Sequence, residues 1–118
     1  MDEKTYLLKV TTDGQCERIE FDKEHDYEQL QDAVDGWIER VPQSFNGADL
    51  FINELGKLKR LPFNEVLTKM WADRERVVLD DTIVGNGVFA KTGPDGETLG
   101  LTEDECEVLE EEISFMRP

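Results

Sequence analysis

The sequence contains few of the residues from which catalytic and metal sites are most often built. It has two cysteines, Cys16 and Cys106, and a single histidine, His25. Two cysteines are too few for a disulfide scaffold and fit no metal-binding spacing, so we expect reduced, buried thiols, with a Cys16–Cys106 bridge as the less favoured alternative. The histidine has no nucleophile or ligand set nearby, which is typical of a solvated side chain. The sequence therefore predicts no catalytic residue, no metal site and no cofactor.

Long apolar runs are absent as well. No run approaches the ~20 residues that a membrane-spanning helix needs, and residues 1–4 lack the basic and apolar regions of a signal peptide. We therefore expect a cytoplasmic protein without membrane contact. The hydrophobic content of 38% in 118 residues is enough for a core, because a chain of this length buries about two-thirds of its unfolded surface. This predicts one domain, residues 1–118.

Basic residues are scarce, and acidic residues are in large excess. The chain has 28 Asp and Glu against 13 Lys and Arg, a formal net charge of −15. Residues 1–56 carry a net −9 and residues 92–118 a net −8, whereas residues 57–91 carry a net +2. Such a charge repels nucleic acid and anionic membranes and attracts basic protein surfaces. We therefore expect a basic protein partner and no direct contact with nucleic acid.

Apolar periodicity and turn signals predict the element order β-β-α-β-β-β-α-β-α. Asp13-Gly14, between the first two strands, is typical of a tight primed turn. Asp26 and Gln29 have the spacing of a capping box at the start of the first helix, and Gly36 offers a left-handed stop. The first five predicted strands cover residues 6–11, 16–21, 37–41, 49–53 and 58–61, and residues 42–46 form a loop. The last strand covers residues 77–79 and 82–90, with an interruption at Asp80-Asp81.

The last two helices have clear apolar stripes. Pro62 suits the first turn of a helix, and its predicted inward residues are Val66, Leu67, Met70 and Trp71. Thr102-Glu103-Asp104-Glu105 is a capping box, followed by a predicted buried stripe of Cys106, Leu109 and Ile113. We expect an α+β fold, a single domain in which about three helices pack on one face of a mostly antiparallel sheet.

Short motifs over residues 37–113 resemble an uncharacterised family of small proteins, domain of unknown function 3846. These motifs are Gly36-Trp37-Ile38-Glu39, Asn53-Glu54-Leu55-Gly56-Lys57-Leu58, Leu61-Pro62-Phe63-Asn64, Ile83-Val84-Gly85-Asn86 and Leu101-Thr102-Glu103-Asp104-Glu105. Proteins of this kind are common in bacteria, their phages and conjugative elements. The resemblance implies an accessory protein of a phage or mobile element, and it supplies no activity, catalytic residue or cofactor.

Several motifs allow a ligand interpretation beside a simpler structural one. Asn53 and Asn64 could hydrogen-bond a small ligand, although a turn and a helix start explain them more simply. Asp80-Asp81 and Asp95-Gly96 lack the spaced oxygen ligands of a calcium loop, and turns explain both pairs. Gly85-Asn86-Gly87 is too short for a phosphate cradle and indicates a bent strand.

One region of the chain is basic. It could bind an anion, or it could pair with the acidic remainder of the same chain. It lacks the interleaved aromatic residues that single-stranded nucleic acid would need. Its members are Lys57, Lys59, Arg60, Lys69, Arg74 and Arg76.

The last helix concentrates acidic residues at a structural cost. Seven acids over about 18 Å of helix give about one charge per 2.6 Å, close to the 3.4 Å phosphate spacing of one DNA strand. Like charges four residues apart oppose the helix by roughly 0.2–0.5 kcal/mol per pair. The candidate partner-binding residues are Asp95, Glu97, Glu103, Asp104, Glu107, Glu110, Glu111 and Glu112.

Three functions compete for this surface. The first is a DNA-mimic inhibitor that occupies the basic groove of a nucleic-acid-binding defence protein, in anti-CRISPR or anti-restriction style. The second is a soluble domain whose acids only hold water, and the third is a small-molecule or nucleotide-binding protein. Charge, small size and the family resemblance favour the first, a non-catalytic protein that acts by protein–protein contact. Phe45 and Phe115, expected to be exposed, are compatible with a homodimer.

Overall fold

The computed structural model describes residues 4–75 and 81–118, in which strands and helices form an antiparallel α+β fold. Within these ranges the sheet order is β2-β1-β5-β4-β3, with β6 paired to β5, and every strand pair is antiparallel. The fold class is therefore the predicted one. The elements are β1 (Tyr6–Val10), β2 (Cys16–Glu20), α1 (Asp26–Val34), β3 (Ile38–Phe45), β4 (Ala48–Asn53), α2 (Glu65–Glu75), β5 (Gly87–Thr92), β6 (Thr98–Leu99) and α3 (Glu103–Met116), with a 3-10 turn at Lys23–His25.

The helices lie on both faces of the sheet, so the prediction that they share one face is wrong. Leu8 and Phe89 belong to the same apolar cluster as the buried residues of α2 and α3. Leu7 and Val88 belong to a separate cluster with the buried residues of α1. Since neighbouring strand residues point to opposite faces, β1 and β5 are buried on both sides. The described residues thus form three layers, with α1 on one face of the sheet and α2 and α3 on the other.

Residues 42–45 of the segment predicted as a loop over residues 42–46 belong to strand β3. Asn46 and Gly47 connect β3 to β4 with φ values of 57° and 85°, the left-handed pair that a two-residue hairpin turn requires. Pro42 is accommodated because β3 is an edge strand with a register shift between Arg40 and Ser44. Phe45 is fully buried. The expectation that it is exposed and available for contact with a second copy is therefore wrong.

The predicted strand over residues 58–61 is wrong, because this segment forms consecutive turns. The N–H groups of Lys59 and Leu61 donate to the carbonyl groups of Leu55 and Gly56, each at 2.9 Å. Arg60 lies in the left-handed region at φ 56°. Local hydrogen bonds therefore replace the strand ladder that an extended chain would need.

The ends of α1 differ from the prediction. Asp35, not Gly36, has the left-handed conformation, at φ 59°. The side chain of Gln29 accepts from the N–H of Asp22 at 2.9 Å, so it does not form a capping box with Asp26. Asp22 caps the preceding 3-10 turn by accepting from the N–H of Glu24. The side-chain cap is therefore found at the start of the 3-10 turn, at Asp22, and not at the start of α1.

The remaining strand predictions are confirmed only in part. The hairpin of β1 and β2 is confirmed, but its loop is longer than a two-residue turn, because Val10 pairs with Cys16. Strand β5 begins at Gly87, whereas Val84 makes only an isolated bridge with Phe63. The short strand β6 was not predicted. The strand predicted at residues 77–79 lies outside the described residues.

Candidate functional site

Helix α3 begins at the predicted capping box. The hydroxyl group of Thr102 accepts from the N–H of Glu105 at 3.2 Å, and a carboxylate oxygen of Glu105 accepts from the N–H of Thr102 at 2.8 Å. The buried residues Cys106, Leu109 and Ile113 fix the helix against the sheet. Both features match the sequence prediction, and together they determine which side of α3 faces outward.

Three acids of α3 form ion pairs with basic residues of other elements. Arg18 on β2 donates two hydrogen bonds to Glu110, at 2.9 and 2.6 Å. Arg74 on α2 binds Glu112 through both terminal nitrogens, with Nη2–Oε1 at 2.8 Å. Lys91 on β5 lies 2.9 Å from Glu105.

These pairs are structural, because they lie along the two borders of the buried stripe. Glu110 and Arg18 each expose 29% of their side chains, and Glu112 and Arg74 even less. The hydrogen bond to Glu110 raises the pKa of Arg18. Partial burial raises the pKa of Glu105, whereas hydrogen bonds from Thr102 and Lys91 lower it. The hydrogen bonds outweigh burial, so the net shift of this pKa is downward. The proposed contact residues Glu110 and Glu112 are therefore partly neutralised within the chain.

The other four acids of α3 share its outward side. Glu103, Asp104, Glu107 and Glu111 are exposed, and no cation pairs with them among the described residues. At about 100° per residue they fall within an arc of about 100°. We call these four acids, together with Val108 and Phe115, the outer face of α3.

Two apolar side chains lie beside this acidic arc. Val108 is 51% exposed and Phe115 is 85% exposed. Both line a groove of about 670 Å³ between α2 and α3, together with Glu111 and Asp73. The arrangement provides apolar contact area bordered by unpaired carboxylates. Val108 is not among the residues predicted from the sequence, although its position one turn after Asp104 places it on the same side of the helix.

The candidate residues Asp95 and Glu97 lie on a different element, the turn between β5 and β6. The carboxylate of Glu97 accepts from the N–H of Asp95 at 3.0 Å, so it stabilises its own turn. Asp95 is exposed. This turn therefore contributes one free carboxylate, while Glu97 is held by local geometry.

The basic region mainly pairs with acids of the same chain. Lys57 contacts Asp81, Lys69 lies 3.6 Å from Glu65, and Arg74 binds Glu112. Arg74 also stacks over the ring of Phe45 at 4.6 Å. Arg76 lies outside the described residues. Intramolecular pairing is thus the better of the two interpretations for the described part of this region.

The two buried asparagines use their amide groups inside the protein. Asn53 donates to the carbonyl of Val34 at 3.0 Å and accepts from the N–H of Leu55 at 2.8 Å. Gly36 leaves room for it, because a Cβ there would lie 2.7 Å from the amide nitrogen. Asn53 therefore closes a turn and caps the end of α1, and a ligand would have to displace these bonds.

Asn64 serves the helix start that was predicted for it. Its side-chain oxygen accepts from the N–H of Leu67 at 3.1 Å. Its amide nitrogen donates to the carbonyl groups of Thr11 at 3.2 Å and Gly85 at 3.0 Å. The structural interpretation is confirmed for both asparagines.

The cysteines and the histidine form no reactive arrangement in the described structure. Both cysteines are free thiols. Burial raises the pKa of Cys106 to about 11 and also raises that of Cys16. His25 lies 2.8 Å from Asp22 on the surface, and this contact raises its pKa. Thiols with raised pKa values are poor nucleophiles at neutral pH.

Neither metal clusters nor membrane spans are found in residues 4–75 and 81–118. These residues contain no group of three or more His, Cys, Asp or Glu side chains that could hold a metal ion. No helix within them is both long enough and apolar enough to cross a bilayer.

Fold and site together define a small three-layer α+β domain with an acidic, partly apolar helix face. The model of the family "Domain of unknown function (DUF3846)" matches residues 4–114, and the chain belongs to this family. The resemblance seen in the sequence motifs is thus confirmed. No curated protein and no solved structure matches the chain.

Proposed function

We propose that this protein is a non-catalytic accessory protein that binds a basic protein surface through the outer face of α3. One observation carries the proposal: four exposed carboxylates, unpaired within the described chain, lie in one arc beside exposed Val108 and Phe115. Like charges at this spacing oppose the helix, whereas a cationic partner would remove the repulsion. Apolar residues surrounded by polar ones are the usual composition of a protein-binding patch.

The partner class that fits best is a nucleic-acid-binding protein. The four carboxylates span about 12 Å along the helix axis, an average spacing of about 4 Å, comparable to the 3.4 Å between phosphates of one DNA strand. The basic side chains of a groove that binds DNA phosphates could therefore pair with these carboxylates at nearly the same spacing. We place the protein in the cytoplasm, as a phage or mobile-element product that inhibits a defence enzyme of the restriction or CRISPR type.

The ion pairs of α3 refine the set of contact residues. Glu110 and Glu112 stabilise the fold and are less available to a partner, because each forms an ion pair with an arginine of the same chain. Among the four acids of the outer face, Glu111 lines the groove, one turn before Phe115. A long basic side chain could lay its stem on Phe115 and place its charge at Glu111. The proposed contact is therefore centred on Glu107, Glu111 and Phe115.

The proposal is tested by neutralising the outer face without touching the ion pairs. The test variant combines Glu103→Gln, Asp104→Asn, Glu107→Gln and Glu111→Gln. The matched control combines Glu17→Gln, Glu24→Gln, Glu28→Gln and Asp32→Asn, the same charge change on exposed residues of other elements. Wild type and both variants are used to capture proteins from the natural host, and each captured protein is then assayed in purified form.

We expect a captured protein to bind the wild type and the control variant but not the test variant. Duplex DNA should compete with the wild type for the captured protein. Binding should weaken as salt rises, because exposed charges are screened over about 8 Å at physiological ionic strength. A partner that binds the test variant as well as wild type would contradict the proposal. Acids that merely keep the protein soluble would give that result.

A further inference from the structure

A cavity of about 550 Å³ opens at the β3 edge of the sheet. Its walls come from β3 and β4, the turns that follow β4, one side chain of α2, and the segment at residues 81–84. Its volume lies within the roughly 300–1,000 Å³ that is typical of small-ligand sites. No residue of α3 lines it, so it is separate from the outer face.

The backbone that frames the cavity is fixed by hydrogen bonds. The N–H of Asn64 donates to the carbonyl of Ile83 at 2.8 Å, and the N–H of Gly85 donates to the carbonyl of Pro62 at 2.7 Å. Gly56 packs so closely on Val84 that a Cβ would lie 2.9 Å from its methyl carbon. These contacts hold the turns after β4 against the opposite wall. The cavity is therefore largely formed before any ligand arrives.

Most of the lining is apolar. Val41 and Ile52 form the sheet side, Trp71 forms the helix side, and Val84 and Leu55 lie toward the turns. The indole nitrogen of Trp71 is buried and has no hydrogen-bond acceptor among the described residues. An unsatisfied buried donor is uncommon in folded proteins. The cavity thus offers an aromatic wall on its helix side.

The charges around the cavity favour a cation. Its two basic lining residues are already engaged, since Lys57 contacts Asp81 and Arg40 lies 3.3 Å from Asp49. The lining carboxylates Glu39 and Glu54 have no cationic partner in the described parts of the chain. Among the described residues, a phosphate group would meet these carboxylates and no unpaired basic side chain of the lining. A nucleotide is therefore disfavoured, whereas an amine would pair with Glu39 or Glu54.

We propose that this cavity binds a small amine with an aromatic or branched aliphatic body. The ammonium group lies at Glu39 and Glu54, and the body packs against Trp71 and Ile52. An ammonium group near the indole also gains from its interaction with the ring face. The inference does not depend on the proposed contact of α3, because the two sites share no residue.

The experiment uses the full chain labelled with ¹⁵N and two probes that share one body. Phenethylamine carries the ammonium group, and phenylacetate replaces it with a carboxylate. The chain has two tryptophans, so Trp37→Phe assigns the indole N–H resonance of Trp71. We expect phenethylamine at millimolar concentrations to shift the Trp71 resonance saturably, and phenylacetate to bind at least tenfold more weakly.

Two single substitutions then separate the local carboxylate from the net charge of the protein. Glu39→Gln should weaken phenethylamine binding about tenfold, through loss of a charge-assisted hydrogen bond. Glu107→Gln removes the same charge from α3 and should leave the affinity unchanged. If Glu39→Gln does not fold, Glu54→Gln on the exposed turn takes its place.

Three results would overturn the inference. They are equal binding of phenylacetate, an unshifted Trp71 resonance, or the same loss of affinity in Glu107→Gln. None of them bears on partner capture by α3, so failure here leaves the proposed function standing.

Discussion

At the scale of single residues, Asn64 joins three parts of the chain that are distant in sequence. Its amide group reaches the end of β1, the segment before β5, and the first turn of α2. It is fully buried, so no water can replace these partners. A polar residue in this position stabilises the fold only while every bond is made.

We expect Asn64→Ala to lower the free energy of unfolding by about 2–4 kcal/mol, because several buried backbone groups lose their partner. Urea denaturation followed by circular dichroism measures the change. The control is Asn46→Gly in the exposed β3–β4 turn, where φ is 57° and glycine fits without strain. A loss for Asn64→Ala no larger than that of the control would mean that the amide bonds do not hold these segments together.

At the scale of elements, the two carboxylates Glu107 and Glu110 on α3 have opposite roles. Glu110 binds Arg18 through two hydrogen bonds and so ties α3 to β2. Glu107 is exposed and lies four residues from both Glu103 and Glu111. One residue therefore stabilises the helix in its place, and the other opposes helix formation.

We expect Glu110→Gln to destabilise the protein by about 1–2 kcal/mol, since a half-buried hydrogen bond between charged groups is lost. Glu107→Gln should instead stabilise it by a few tenths of a kcal/mol, because two like-charge pairs disappear. The same urea titration on both variants gives the comparison, with equal change in net charge. Two effects of the same sign would show that net charge, not local pairing, controls the stability of α3.

How far the sequence predicts the elements depends on whether their signals are local. The capping box at Thr102 and the stripe through Leu109 are local patterns, and both are confirmed. The Asn46-Gly47 turn was equally local, but Pro42 obscured it by favouring a loop. The placement of α1 on the opposite face has no such local signal. It follows from the burial of β1 and β5 on both faces of the sheet, which the structure shows.

The ion pairs of α3 and the cavity could not be read from the sequence, for a different reason. Arg18 and Glu110 are 92 positions apart, and no periodic pattern links them. The cavity depends on the turns after β4, and part of this segment, residues 58–61, was predicted as a strand. Which acids remain free is therefore a tertiary property, and net charge alone overstated the charge available to a partner.

At the scale of the whole molecule, the excess of negative charge produces self-repulsion. The formal net charge is −15, and the ion pairs at Glu105, Glu110 and Glu112 relieve it at only part of α3. A net charge far from zero destabilises a compact state through self-repulsion. Added salt screens this repulsion, whereas partly buried ion pairs are screened much less.

We therefore expect the melting temperature to rise by several degrees as sodium chloride increases from low to high concentration. The variant with four neutralised residues on the outer face should melt higher at low salt and respond less, because part of the repulsion is already removed. Differential scanning calorimetry at a series of salt concentrations measures both effects. The variant neutralised at Glu17, Glu24, Glu28 and Asp32 serves as the control.

An equal gain in melting temperature in both variants would locate the repulsion in the molecule as a whole, and a larger gain for the outer-face variant would locate it on α3. A melting temperature that falls with salt would mean that attractive pairs outweigh repulsion, and the carboxylates of the outer face would then carry no strain for a basic partner to relieve.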